Sequence, residues 1–230
     1  MNIIYNKQAP EVAIKARKAF TETANEIIGK KGKVLIALPG GRSIVPILQE
    51  LKKAKITWEK TQIFMIDERL VALEHKESNF RLLREHLLDY LIIQNQLSET
   101  NLHPFLIKTT ENQGIADYDK ELKKYGGKYD IIFLGSGEDG HVAALYPGHW
   151  GLTKKENYFV MHDSPKHPKE RMTSSVSLLQ KADVAFILFF GEQKIRAYKR
   201  FNDNKIDMTG CPAKLVNKIN KIYILTDLEA

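Results

Sequence analysis

Residues 129–148 read YDIIFLGSGEDGHVAALYPG. Tyr129 to Leu134 is a short β-branched apolar run, and it predicts a buried strand. The run breaks into Gly135-Ser136-Gly137-Glu138-Asp139-Gly140-His141. Glycines at this density let the chain turn sharply and bring backbone N–H groups close to a ligand. An open α/β sheet places its ligand crevice just beyond the carboxyl ends of its strands. Asp139 and His141 therefore stand where a catalytic acid and imidazole are useful. The competing reading is a strand-to-helix turn with an Asp cap and a surface His, and the rest of the chain has to decide between them.

Outward from this stretch the same pattern repeats. Lys33 to Leu38 (KVLIAL) is a continuous apolar strand of the kind covered on both faces, and it stops at Pro39-Gly40-Gly41-Arg42-Ser43 before a helix from Ile44 to Lys53. Thr61 to Ile66 (TQIFMI) ends in Asp67-Glu68-Arg69, a charged triplet read as a strand tip or a paired group. Val184 to Phe190 (VAFILFF) ends in Gly191-Glu192-Gln193-Lys194 and opens a helix from Ile195 to Phe201. Further strands are expected at Asn2 to Tyr5, as an edge, at Tyr158 to Met161 and at Lys221 to Leu225. A short extended piece runs from Leu102 to Ile107. A helix opens at Ala9-Pro10 and closes at Gly29 and Gly32; others run from Phe80 to Leu91, capped by Ser78-Asn79, and from Gly114 to Tyr125. Strands alternating with helices, with no linker or repeat, predict one α/β domain over residues 1–230: a single open, mainly parallel, Rossmann-like sheet with helices on both faces.

The net charge of +7 would suit nucleic acid, a membrane surface or a phosphorylated small molecule. The lysines are scattered rather than gathered into a basic arm, which argues against nucleic acid. No apolar run approaches the ~20 residues that cross a bilayer, and the first residues lack a basic-then-apolar signal layout, so a soluble cytoplasmic protein is expected. The lone cysteine, Cys211, admits neither an internal disulfide nor a cysteine zinc site. No metal and no cofactor are expected.

Glycine turns after strands can cradle an anion through free N–H groups and the helix dipole. The turn at Gly40-Gly41 lacks the Walker Lys-Ser/Thr and the G-x-G-x-x-G pattern, so ATP and NAD find no support. Arg69 suits bidentate phosphate binding, or an ion pair with Asp67 or Glu68. Ser164 to Thr173 is a proline-stiffened loop that brings three cations ahead of Met172. Lys194 near a helix start is unfavourable unless an anion is near. In a parallel sheet these strand-end loops share one edge. Together they describe a phosphate site beside an acid–base pair.

In this order the segments resemble the 6-phosphogluconolactonase family, which is related to glucosamine-6-phosphate deaminases. Gly40-Gly41-Arg42-Ser43 is similar to the family's Gly-Gly-Ser-Thr loop. Asp67-Glu68-Arg69 with His75 and Ser78-Asn79 is similar to its Asp-Glu-Arg…His…Ser-Asn run. Gly135 to Gly148 is similar to G-x-G-x-D-G-H-x-A-S-L-F-P-G, Ser164 to Thr173 to S-P-K-P-P-x-x-R-[IM]-T, and Gly191 to Lys194 to G-x-x-K. The resemblance covers about Lys33 to Tyr223. It implies metal-free hydrolysis of 6-phospho-D-glucono-1,5-lactone, a step of the pentose phosphate pathway, by a monomer or homodimer. His141 would be the general base, oriented by Asp67 or Asp139. Gly40 and Gly41, with Arg42 and Ser43 in the same loop, would hold substrate and stabilise the oxyanion; Arg69, Arg171 and Lys194 would hold the phosphate. Arg42, Pro39 and His167 depart from the family pattern. The deaminase branch continues from D-G-H into F-N-E-P-G, where this chain has Leu145 and Tyr146 and lacks the carboxylate. A non-enzymatic sugar-phosphate sensor, of the kind fused to a DNA-binding helix-turn-helix, is not expected, because only about 30 residues precede the first core strand and His141 argues for catalysis.

Overall fold

The structure, a computed structural model, describes residues 1–108 and 110–229. In chain order the strands are β1 (Asn2–Tyr5), β2 (Val34–Leu38), β3 (Thr61–Met65), β4 (Asp67–Arg69), β5 (Leu102–His103), β6 (Ile131–Gly135), β7 (Tyr158–Met161), β8 (Arg171–Ser174), β9 (Val184–Phe189) and β10 (Lys221–Thr226). The helices are α1 (Ala9–Lys31), α2 (Val45–Leu51), α3 (Asn79–Leu83), α4 (Asp89–Ile93), α5 (Glu111–Lys124), α6 (Val176–Leu179) and α7 (Ile195–Asn202). Seven strands form one open sheet in the order β1-β10-β9-β6-β2-β3-β5, and every neighbouring pair is parallel. This is the expected α/β architecture.

The apolar runs explain why the sheet is covered on both faces. Every residue of β2 and β9 is buried, and successive side chains of a strand point to opposite faces. Phe133 and Phe186 are register partners and stack at 4.7 Å, and Phe133 meets Phe20 of α1. Phe189 points the other way and packs on Tyr198 and Phe201 of α7. Phe64 shares that second face and packs on Tyr118 of α5. Helices thus lie on both sides of one core.

A second sheet differs from the expectation. β4, β8 and β7 form a three-stranded antiparallel ribbon, which takes in both the charged triplet read as a strand tip and the strand Tyr158–Met161. Ile66 joins the two sheets: its N–H donates to the Leu38 carbonyl (3.0 Å), while its own carbonyl accepts from the Ser174 N–H (2.8 Å). The chain therefore runs from β3 into β4 without a turn. Three charged residues carry no measurable alternation, so this strand leaves little trace in the sequence.

Smaller differences follow from local geometry. α1 continues through Gly29, and Gly32, at φ 75°, ends it with its N–H on the Ile28 carbonyl. A lone glycine inside a long packed helix costs only about 1 kcal/mol. The helix after Ser78 is interrupted by one wide π turn, Arg84–Leu88, between α3 and α4. No helix follows the glycine stretch; Ala143 takes φ 52° and Val142 bridges Leu145. No helix among the described residues is long and apolar enough to cross a membrane.

Candidate active site

The loops that follow β2, β6 and β9, together with β4, converge on one cleft of about 400 Å³. Gly40, Gly41, Arg42, Ser43, Asp67, Arg69, His141, Arg171 and Lys194 all border it. Of the residues given a catalytic or binding role from the sequence, Asp139 alone does not border the cleft. It stands behind His141, where its Oδ1 lies 2.5 Å from His141 Nδ1 and also accepts the His141 backbone N–H at 3.1 Å. A carboxylate at Nδ1 favours the neutral tautomer protonated there, which leaves Nε2 as the acceptor. Burial pushes the Asp139 carboxyl up, but the hydrogen bonds and charge of His141 outweigh it and hold the group well below the carboxylate range.

The sequence left the orienting carboxylate open between Asp67 and Asp139, and Asp139 is the one in contact. Asp67 instead faces Arg171, with Oδ2 3.9 Å from Nη1.

Two glycines are set by their neighbours. A Cβ at Gly137 would stand 2.0 Å from the His141 ring, and one at Gly40 would stand 1.7 Å from Asn79 Oδ1. The glycine stretch thus makes room for the imidazole itself. Gly41, at φ 89°, begins the short 3₁₀ turn that carries Arg42 and Ser43.

Charge is the main property of the cleft. Arg42, Arg69, Lys166, Arg171 and Lys194 border it against the carboxylates of Asp67 and Glu138. Arg69 makes neither ion pair that its triplet suggested; its Nη1 donates to the Glu77 carbonyl (2.5 Å) and its buried Nε has no partner. Asn79 Oδ1 is likewise buried without a donor, although Asn79 Nδ2 donates to the Asp67 carbonyl. Buried unpaired polar groups cost free energy, and both of these lie just behind the same cleft wall. Burial lowers the Lys194 ammonium below its ordinary value, opposed by Glu138 and assisted by Lys166 and Arg42. A bound anion would reverse that shift.

Glu68, between Asp67 and Arg69, points away from the cleft and is 1% exposed. Its carboxylate accepts from the backbone N–H groups of Arg69, Asn79 and Phe80 and from Ser78 Oγ. Burial pushes its pKa up against those donors. This residue anchors the start of α3 to the back of the site.

Arg171, 6% exposed, donates from Nε to the Pro168 carbonyl and from Nη2 to that of His167. It holds the loop before β8 as well as bordering the cleft. That loop brings Lys166 and His167 to the wall, and Asn79, Glu138, Tyr146 and Gln193 join them. The sequence reading assigned none of these six a site role. Their contacts are long-range, and only the cations of the proline loop gave a signal. Among the described residues no group of three or more His, Cys, Asp or Glu is placed to hold a metal ion.

Residues 7–224 match the family described as glucosamine-6-phosphate isomerases/6-phosphogluconolactonase. The chain is 29% identical to a 6-phosphogluconolactonase of Borreliella burgdorferi over 91% of this chain and 90% of that one. It is 28% identical to one of Synechocystis over 100% and 96%. The crystal structure of a Thermotoga maritima 6-phosphogluconolactonase superposes with a TM-score of 0.83 at 23% identity, covering 98% of both chains, and so shares the fold.

Proposed function

The chain belongs to the family of glucosamine-6-phosphate isomerases and 6-phosphogluconolactonases, and on that premise we propose that it hydrolyses 6-phospho-D-glucono-1,5-lactone to 6-phosphogluconate. The observation that carries this reading is the Asp139–His141 pair opening onto a cation-lined cleft. The isomerase branch is disfavoured because Leu145 and Tyr146, both buried, occupy the place of its carboxylate.

His141 Nε2 takes a proton from water as the water oxygen bonds to the lactone carbonyl carbon. Negative charge collects on the former carbonyl oxygen, where backbone N–H groups of the Gly40-Gly41 turn stabilise it. The imidazolium then returns its proton to the ring oxygen as the carbon–oxygen bond breaks. This leaves a hydroxyl on the sugar chain and an acid that loses its proton to solvent. Arg42, Arg69, Arg171 and Lys194 hold the phosphate, and Ser43 lies in the same wall. A lactone is an activated ester, so an imidazole and fixed donors suffice without a metal.

The test is hydrolysis of freshly generated lactone above its spontaneous rate, by wild type and His141→Ala, with chelator present. Fast wild-type turnover that is lost in the variant supports the reading. A wild type no faster than water sinks it, and ammonia release from glucosamine 6-phosphate becomes the next assay. Equal rates in both proteins would move the base elsewhere.

A further inference from the structure

Tyr146 is 2% exposed, yet it touches both halves of the site. Its ring lies 4.7 Å from the His141 imidazole, centroid to centroid, and its hydroxyl is hydrogen-bonded to Ser164 Oγ at 2.9 Å. Ser164, itself 1% exposed, is the root of the loop that carries Lys166 and His167. Its Oγ also bonds the Lys166 backbone carbonyl (2.9 Å) and accepts the Lys166 N–H (3.2 Å), and its own N–H closes the loop on the Lys169 carbonyl (3.2 Å). Arg171 grips the far side through the carbonyls of His167 and Pro168. The Lys166 ammonium acts electrostatically on Asp139 and on Lys194. The family motif that this stretch resembles has Phe at position 146, so the hydroxyl is a departure of this chain.

We propose that Tyr146 is a positioning residue that couples the Lys166 loop to His141. Its ring supports the imidazole, and its hydroxyl fixes the loop that presents a cation to the anionic part of the substrate. A phenylalanine would keep the first contact and lose the second. One side chain thereby sets the distance between the base and the Lys166 end of the anion clamp. The inference rests on the lactonase reading for its kinetic consequences, and on geometry alone for its effect on anion binding.

Two readouts separate these. The first is inorganic phosphate affinity, by calorimetry, in wild type, Tyr146→Phe, Lys166→Ala and the double variant. Loss of one hydrogen bond acting through the loop weakens phosphate binding in Tyr146→Phe by about 3- to 10-fold. In the Lys166→Ala background the same change costs less than about twofold, because the cation that the hydroxyl placed is gone. The second readout is lactone turnover. KM rises more than kcat falls in Tyr146→Phe, whereas Tyr146→Leu, which removes the ring, lowers kcat by about tenfold or more. Additive phosphate effects, or a Tyr146→Phe protein that binds phosphate like wild type, overturn the proposal whatever the turnover. Coupled phosphate binding without any lactone turnover sustains it while the lactonase reading falls.

Discussion

Arg69 of β4 and Arg171 of β8 stand directly opposite each other in antiparallel register, two guanidinium groups on one cleft wall. Like charges placed so are mutually destabilising unless an anion lies between or beside them. Millimolar phosphate should therefore raise the melting temperature of the wild type. Arg69→Met should show a clearly smaller rise, because Arg69 is the less engaged of the two. Equal phosphate-induced shifts in the two proteins, read by scanning calorimetry, would remove Arg69 from the anion site.

The contact between Asp139 and His141 gives a second expectation. Asp139→Asn removes the carboxylate from Nδ1 and frees the imidazole to turn, so kcat should fall by about two to four orders of magnitude. The Asp139 carboxyl is held below its ordinary range in the folded protein. Its stabilising contribution is thus complete at neutral pH and disappears only as pH falls from the ordinary carboxylate range through that depressed value. Steady-state kinetics of wild type and Asp139→Asn check the catalytic part, and an Asn variant with wild-type kcat would contradict the assignment.

Gly137→Ala puts a methyl group where the His141 ring lies. The imidazole must move, and displacement of a base by about 1 Å costs on the order of 100-fold in rate. The thermal midpoint should change little by comparison, since the added group meets a partly exposed side chain rather than packed core. Activity retained within a factor of about three would show that the ring has another usable position.

A buried histidine far from the cleft makes the stability of the chain depend on pH. His103 is 7% exposed, stacks on Phe64 at 4.2 Å and bonds Gln62 Oε1 through Nε2. Burial lowers its pKa to about 4, against the pull of Glu121. The unfolded chain binds this proton near pH 6.5, so folding loses stability as pH falls from there towards 4, by up to roughly 3 kcal/mol. Urea titrations at pH 7 and 4.5 should show a smaller acid loss in His103→Gln than in wild type. An identical loss in both would place the proton elsewhere.

The sheet was legible in the sequence because its central strands are buried on both faces and are therefore apolar without interruption, as in VAFILFF and KVLIAL. The cleft was legible because glycines, an acid and a histidine crowd one short stretch after such a strand. What stayed hidden depends on contacts across long separations. Asp67 and Asp139 could not be ranked as partners of His141, since only the folded chain shows that one touches the ring and the other faces Arg171. Gly40 is shaped by Asn79, and Tyr146 by Ser164. Position 146 looks like a core residue from its neighbours alone.

The triplet Asp67-Glu68-Arg69 has a consequence for how this chain can change over time. Strand alternation sends Asp67 and Arg69 to the cleft and Glu68 to the anchor of α3. Losing or gaining one residue between Ile66 and Arg69 would exchange these assignments at a stroke. A carboxylate would then face the substrate and a guanidinium would be pressed into the helix start. A one-residue change of length is therefore forbidden within the triplet, whose phase decides which side each charge faces.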